Sequence, residues 1–177
     1  MPEPVGKPVF IALSGLPGTG KSYFSRKLAE RLPVAILESD ALRKTLFPQP
    51  RYDWRESARL FRAIYFLIEQ LLREDISLIL DATNLIERYR RELYQIAKNT
   101  GANFILVKIE ASRGTVRKRL EARKRDFSDR SDADWAVYQE LAQSLEEVRG
   151  HHYLVNTSKP ITPVINRIVR EVKSGDH

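Results

Sequence analysis

The chain has 177 residues, of which 42% are hydrophobic and 30% charged, a size and composition typical of one globular domain. It contains no cysteine, which excludes disulfide bonds, thiolate metal sites and cysteine nucleophiles. The net charge of +7 is concentrated in residues 113–125, where seven Lys or Arg accompany one acid, and this block suits either a polyanionic ligand or a solvated helix face.

The first residues show no targeting signal. Residues 1–8 contain three prolines and no basic cluster, and the apolar run Val9–Leu13 is too short for a signal sequence or a membrane span. We therefore expect a cytoplasmic protein without a membrane partner. We also expect loose ends at residues 1–8 and 174–177.

Five short apolar runs predict buried β-strands. The runs are Val9–Leu13, Val34–Leu37, Ile76–Leu80, Phe104–Ile109 and Tyr153–Val155. Each is continuous rather than alternating, which is typical of strands buried on both faces of a parallel sheet. Because helical patterns separate the runs, we expect an α/β fold with helices on both faces of the sheet, in one domain that spans residues 1–177.

Capping residues mark the helices in the middle of the chain. Asp53, with Glu56 three residues later, predicts the start of one long helix, and the apolar residues from Trp54 to Leu72 recur at spacings of four and three. Gly101 is expected to end the next helix, because glycine tolerates the left-handed conformation found after many helices.

The last two helices are marked in the same way. Ser131 and Asp134 form a capping pattern that predicts the start of a helix extending through Val148. Thr162 and Pro163 predict the start of the final helix, since proline is well suited to the first helical turn.

A phosphate-binding motif follows the first predicted strand. Residues 15–22 match the pattern G-x-x-x-x-G-K-[ST], and a helical stretch comes after them, as the motif requires. Glycines let the backbone curl until successive N–H groups point inward, and the helix N-terminus favours negative charge. We expect a nucleotide to contact Gly15, Pro17, Gly18, Thr19, Gly20, Lys21, Ser22 and Tyr23.

Two side chains of this motif can take part in chemistry. Lys21 can reach the β- and γ-phosphates, and the hydroxyl of Ser22 can bind Mg²⁺. ATP is favoured over GTP because the guanine-reading sequence N-K-x-D does not occur in the chain. The motif therefore predicts ATP and Mg²⁺ as cofactors.

Asp40 and Arg43 follow the second predicted strand, in the region beyond the carboxyl ends of strands where open α/β sheets bind ligands. If a helix begins there, their side chains lie on the same side of it. Asp40 could then accept the proton of an acceptor hydroxyl while Arg43 holds a phosphate or transition-state charge. The alternative is that Asp40 caps the helix and Arg43 is solvated; the phosphate-binding motif favours the catalytic interpretation.

Polar residues also follow the third predicted strand. P-loop proteins commonly keep the carboxylate that orients Mg²⁺ at this position, so we assign Asp81 to the metal together with Ser22. Asp81 is also an alternative to Asp40 as the base. Thr83 and Asn84 either bind the acceptor or form a turn before the helix near Arg88.

An arginine-rich stretch precedes a polar segment. Arg117, Arg119 and Arg123 lie in an amphipathic pattern, and residues 124–133 are polar and charged. This predicts a helix followed by a lid that closes on the triphosphate, excludes water and stabilises the transferring charge. A solvated helix face is the alternative.

Taken together, these motifs resemble the P-loop kinases that include polynucleotide 5′-hydroxyl kinases and zeta-toxin-like kinases. The matching features are GLPGTGKS at 15–22, Asp40 with Arg43, DATN at 81–84, and R-x-x-x-R at 119–123 running into SDAD. The resemblance covers residues 9–170. It implies an adenylate-kinase-like P-loop NTPase fold: a five-stranded parallel sheet in the order 2-3-1-4-5, with an arginine-bearing lid between the fourth and fifth strands.

The resemblance also implies residue roles. Asp40 corresponds to the general base and Arg43 to the arginine that contacts the acceptor-side phosphate. Arg123, with Arg119 second, corresponds to the lid arginine on the nucleotide phosphates, which together with Lys21 completes the expected catalytic set. The positions expected to line the acceptor side are Thr83, Asn84 and Arg88.

The sequence leaves three functions open. The first is an ATP-dependent kinase acting on the 5′-hydroxyl end of RNA or DNA. The second is the same chemistry on a small molecule, because Phe47, Tyr52 and Trp54 could wall a compact pocket as readily as stack a base. The third is a nucleotide-dependent switch without transferase activity, in which Asp40 and Arg43 are structural.

Overall fold

The computed structural model describes residues 6–123 and 133–175. The strands are β1 (Val9–Ser14), β2 (Ala35–Glu38), β3 (Leu78–Asp81), β4 (Asn103–Glu110) and β5 (Tyr153–Asn156). The helices are α1 (Lys21–Ala29), α2 (Ser39–Leu46), α3 (Trp54–Arg73), α4 (Glu87–Thr100), α5 (Arg113–Arg123), α6 (Trp135–Gln143) and α7 (Thr162–Ser174).

The five strands form one parallel sheet in the order β2-β3-β1-β4-β5, so the predicted fold class and strand order are confirmed. β1 is central and every residue in it is buried, which explains its uninterrupted apolar sequence. One core packs α1 and α7 against one face of the sheet, and a second core packs α3 and α4 against the other. The carboxyl ends of all five strands therefore meet at one edge.

The predicted ends of three helices are confirmed. The Asp53 side chain accepts a hydrogen bond from the Glu56 N–H at 2.8 Å and starts the 20-residue helix α3. Gly101 ends α4 in the left-handed conformation, with φ of 70°. The final helix begins at Thr162 with a proline in its first turn.

The prediction for α6 was wrong in its extent. The helix begins at Trp135, with the Asp134 side chain accepting from the Val137 N–H at 3.0 Å, and it ends at Gln143 rather than continuing through Val148. Ser131 lies outside the described residues. The chain leaves the helix because Glu146 joins another part of the fold, where its N–H donates to the Leu85 carbonyl at 3.0 Å.

Arg90 explains why the segment after α6 is fixed in this way. Its guanidinium, 0% exposed, donates to the carbonyls of Asn84 at 3.0 Å, Leu85 at 2.8 Å and Glu147 at 2.9 Å. One buried cation thus holds together the turn after β3 and the segment after α6. No local pattern in the sequence marks Arg90 as a structural residue.

The two ends and the lid segment are only partly described. The Pro8 carbonyl accepts from the Asn103 N–H at 2.8 Å, and Ser174 is the last residue of α7. The predicted lid at 124–133 lies outside the described residues except for its last position. Within the described ranges, no helix is long and apolar enough to cross a membrane.

We predict that Arg90→Ala lowers the free energy of unfolding by about 3 kcal/mol, because it leaves buried carbonyls without donors. Arg91→Ala is the matched control, since that side chain is 77% exposed and should contribute less than about 0.5 kcal/mol. Urea unfolding of both variants measures the difference. Equal stability of the two would contradict the role given to Arg90.

Candidate active site

The loop between β1 and α1 has the backbone geometry that the motif predicts. Gly18 and Gly20 have φ of 78° and 95°, a region that residues with a Cβ rarely adopt. The Gly15 N–H donates to the Thr83 carbonyl at 2.9 Å, and a Cβ on Gly15 would lie 2.4 Å from the Ile109 carbonyl oxygen. The loop is therefore pressed between the ends of β3 and β4, with room for glycine alone at its first position.

The outer side of the loop is held by residues from α5 and from the turn after β5. The Arg119 guanidinium donates to the Gly18 carbonyl at 3.3 Å and to the Thr157 carbonyl at 3.0 Å. The Thr157 hydroxyl donates to the Thr19 carbonyl. These bonds hold the carbonyls of Gly18 and Thr19 and so stabilise the curl of the loop. Thr157 was not among the predicted site residues, and the predicted contact of Arg119 with nucleotide stays a prediction.

Lys21 lies at the centre of several charges. Its ammonium donates to the Leu16 carbonyl at 3.0 Å. Burial lowers the pKa of Lys21, and the charge of Arg123 acts in the same direction, whereas the carboxylates of Asp81 and Asp40 act to raise it. Charges predicted from three separate segments of the sequence thus all act on Lys21. Pro17 lies in the same loop, while the side chain of Tyr23 on α1 is half exposed.

Ser22 and Asp81 form the predicted metal-binding pair. The Ser22 hydroxyl donates to an Asp81 carboxylate oxygen at 2.6 Å, although the residues are 59 positions apart. Among the described residues, no group of three or more His, Cys, Asp or Glu could enclose a metal ion. A hydroxyl beside a single carboxylate nevertheless fits Mg²⁺, which prefers oxygen ligands and usually takes most of them from water and substrate phosphates.

Asp40 and Arg43 lie on α2 but have different surroundings. Asp40 is exposed in the first turn and close enough to Lys21 to influence its pKa. Arg43 is 7% exposed and forms an ion pair with Glu56 of α3, with 2.5 Å between its nitrogen and the carboxylate oxygen. Its guanidinium also lies 4.8 Å from the centroid of the Tyr52 ring.

Glu56 supports the site through Arg43, although its position in the sequence predicts only a role in the cap of α3. Its pKa is lowered, first because the Arg51 N–H donates to its carboxylate and then through the hydrogen bond from Arg43. The carboxylate therefore stays ionised, and it holds Arg43 in place. The proposed contact of Arg43 with an acceptor phosphate stays a prediction.

The three predicted acceptor-side residues are placed differently. Asn84 is 4% exposed, and its side-chain nitrogen donates to the Leu13 carbonyl at 2.7 Å, tying the turn after β3 to the end of β1. Thr83 is partly exposed, and its carbonyl accepts from the loop. Arg88 is exposed in the first turn of α4. Acceptor binding by these residues stays a prediction, and the Asn84 amide is already used structurally.

We predict that Gly15→Ala weakens Mg·ATP binding at least about tenfold and destabilises the fold by about 1–3 kcal/mol, because the added methyl group meets the Ile109 backbone. Gly114→Ala is the matched control. A Cβ there has no heavy atom within 4 Å, and helical alanine should raise stability by about 0.5 kcal/mol. Calorimetric titration and thermal unfolding test both variants; unchanged nucleotide affinity in Gly15→Ala would contradict the account.

Sequence comparison identifies a kinase relative. The chain is 35% identical over 113 residues to L-seryl-tRNA(Sec) kinase of Methanococcus maripaludis. The match covers 63% of this chain but only 44% of that protein, so the chain spans less than half of its relative's length.

Structure comparison finds the same architecture in other P-loop proteins. Kti12 of Chaetomium thermophilum, solved with ADP-AlF3, gives a TM-score of 0.72 with 18% identity over 95% of this chain and 99% of that one. The Mycobacterium tuberculosis APS kinase CysC, solved with AMPPNP and APS, gives a TM-score of 0.69 with 16% identity over 95% and 99% of the two chains. At these identities the likeness concerns the fold.

The family comparison extends over most of the chain. A family model described as an AAA domain, AAA_33, matches residues 10–148, from β1 to beyond α6. The matched region contains the phosphate-binding loop and the predicted acidic and arginine residues. The chain therefore belongs to the AAA_33 family of AAA domains and has the fold of P-loop kinases.

Proposed function

We propose that the protein transfers the γ-phosphoryl group of Mg·ATP to a hydroxyl acceptor. The observation that carries this proposal is that the phosphate-binding loop is hydrogen-bonded to Asp81 through Ser22 at 2.6 Å, while the charges of Asp40, Asp81 and Arg123 all act on the pKa of Lys21 in the same loop. A nucleotide-dependent switch needs the phosphate-binding loop and one carboxylate that binds Mg²⁺. A second carboxylate at the end of a neighbouring strand is what a phosphotransferase requires to receive the acceptor proton.

In this proposal some residues bind the nucleotide and others act on the acceptor. The amides of the loop and Lys21 bind the β- and γ-phosphates, and Ser22 with Asp81 holds Mg²⁺, which neutralises phosphate charge when bound. Asp40 accepts the proton of the attacking hydroxyl, and Arg123 stabilises charge on the transferring group. Because Lys21 is partly buried, its charge acts on the phosphates with less screening than in open water.

The acceptor that we propose first is the 5′-hydroxyl end of an RNA or DNA strand. The net charge of +7 and the exposed Arg88, which is predicted to lie on the acceptor side, suit a polyanion. A second candidate is a hydroxyl on an amino acid esterified to tRNA. The 35% identity to L-seryl-tRNA(Sec) kinase favours it specifically.

An acceptor panel tests the proposal. The protein is incubated with radiolabelled Mg·ATP and with 5′-hydroxyl oligoribonucleotides, oligodeoxyribonucleotides, seryl-tRNA, nucleosides and sugars, and labelled products are separated. We expect transfer to a nucleic-acid-borne hydroxyl. Transfer only to a small molecule would replace the proposed acceptor, and slow hydrolysis with no transfer would instead indicate a switch.

We predict that Asp40→Asn lowers kcat by about 100-fold or more, with nucleotide affinity nearly unchanged, because the amide cannot take the acceptor proton. Asp81→Asn should instead raise the Mg²⁺ concentration needed for half-maximal rate. Asp75→Asn is the matched control, since Asp75 is exposed in the turn after α3. Full turnover in Asp40→Asn would show that the base lies elsewhere.

A further inference from the structure

The exposed face of α3 is a strip of positive charge. Arg55, Arg59 and Arg62 recur at spacings of four and three, so they lie within about 60° of one another around the helix, opposite its buried face. No Asp or Glu occurs between Glu56 and Glu69. Within the part of the chain that the structure describes, Arg59 and Arg62 take part in no ion pair, so their charge is directed to solvent.

Large aromatic side chains begin this strip. Trp54 is 75% exposed and Tyr52 is 47% exposed, both unusual for aromatic residues of their size. The Arg55 guanidinium lies 5.3 Å from the centroid of the Trp54 ring. Exposed aromatic rings interleaved with arginines are the elements that nucleic-acid-binding grooves use, because every base has a face that stacks and every nucleotide carries a phosphate.

The start of the strip is linked to the helix that carries the proposed catalytic base. Glu56, in the first turn of α3, forms the ion pair with Arg43, which is one helical turn from Asp40 on α2. The same carboxylate accepts from the N–H groups of Arg51 at 2.6 Å and Tyr52 at 3.3 Å. Tyr52 has φ of 57°, a costly conformation for a residue with a Cβ, and these bonds hold it there. The segment that presents the aromatic rings is thus fixed to α2.

We infer that Trp54, Arg55, Arg59 and Arg62 form a docking surface for the single-stranded polynucleotide whose hydroxyl is phosphorylated. A base beyond the reacting end stacks on Trp54, and the arginines contact successive phosphates along about 10 Å of helix. This inference rests on the proposed function and narrows its acceptor from hydroxyl compounds in general to a strand of several nucleotides.

Binding measured without ATP tests the surface independently of phosphoryl transfer. The triple variant Arg55→Gln, Arg59→Gln, Arg62→Gln should bind a 3′-labelled 12-nucleotide strand at least about tenfold more weakly by fluorescence anisotropy, for RNA and for DNA. The slope of log affinity against log salt should become shallower by about 2, since about 0.7 of an ion is released for each phosphate neutralised on a single strand.

The matched control removes the same charge from the other side of the sheet. Arg167, Arg170 and Lys173 are exposed on α7, which packs on the face opposite α3. Replacing all three with Gln should leave the salt slope and the affinity close to those of the unmodified protein. Equal weakening by both triple variants would mean that net charge alone attracts the strand, and would overturn the inference.

Trp54 supplies a direct optical readout. The chain has two tryptophans, so Trp135→Phe leaves Trp54 as the sole indole. Strand binding should then quench its fluorescence, and Trp54→Ala should weaken binding about tenfold. In transfer assays the arginine variant should raise the KM for the strand with little effect on kcat.

Two further results would overturn the docking surface. One is an unquenched Trp54 in the presence of a bound strand. The other is an unmodified protein that binds neither RNA nor DNA strands, whether or not an acidic protein binds at this face. In those cases, transfer of phosphate to a small acceptor would show that the kinase proposal survives without the surface. If instead the strand binds at Trp54 but no acceptor is phosphorylated, the surface binds polynucleotides and the kinase proposal fails.

Discussion

The close approach of the phosphate-binding loop to the strand ends is the constraint on which the site depends. Gly15 lies so near the Ile109 carbonyl that no side chain fits between them, and its N–H is bonded to the turn after β3. Since β1 is buried at the centre of the sheet, it fixes the position at which the loop begins. Arg119 and Thr157 then donate to the carbonyls of Gly18 and Thr19, which restricts the conformation of the loop.

The topology assigns different tasks to the two halves of the sheet. On one side of β1, the ends of β2 and β3 supply the acidic residues, with Asp40 in the helix after β2 and Asp81 at the end of β3. On the other side, the segments after β4 and β5 supply Arg119 and Thr157, which support the loop. The proposed acceptor side and the support of the nucleotide side are therefore separated by the central strand.

The features that the sequence predicted are those with a local pattern. Continuous apolar runs predicted the parallel strands, the Asp53 cap predicted the long helix, and residues 15–22 predicted the loop. The ion pair of Arg43 with Glu56, the buried Arg90 and the support from Thr157 were not predicted, because each contact depends on tertiary packing. For the same reason α6 ended early: bonds to distant carbonyls outweighed its apolar periodicity.

The central claim is that this loop binds the phosphate tail of a nucleotide together with magnesium. Calorimetric titration of the protein with AMPPNP, with Mg²⁺ and again with excess EDTA, tests it most directly, and AMP serves as the nucleotide lacking the β- and γ-phosphates. We predict saturable binding of AMPPNP that weakens at least about tenfold without Mg²⁺, and much weaker binding of AMP. No AMPPNP binding at millimolar concentration, or equal affinity for AMP, would contradict the account.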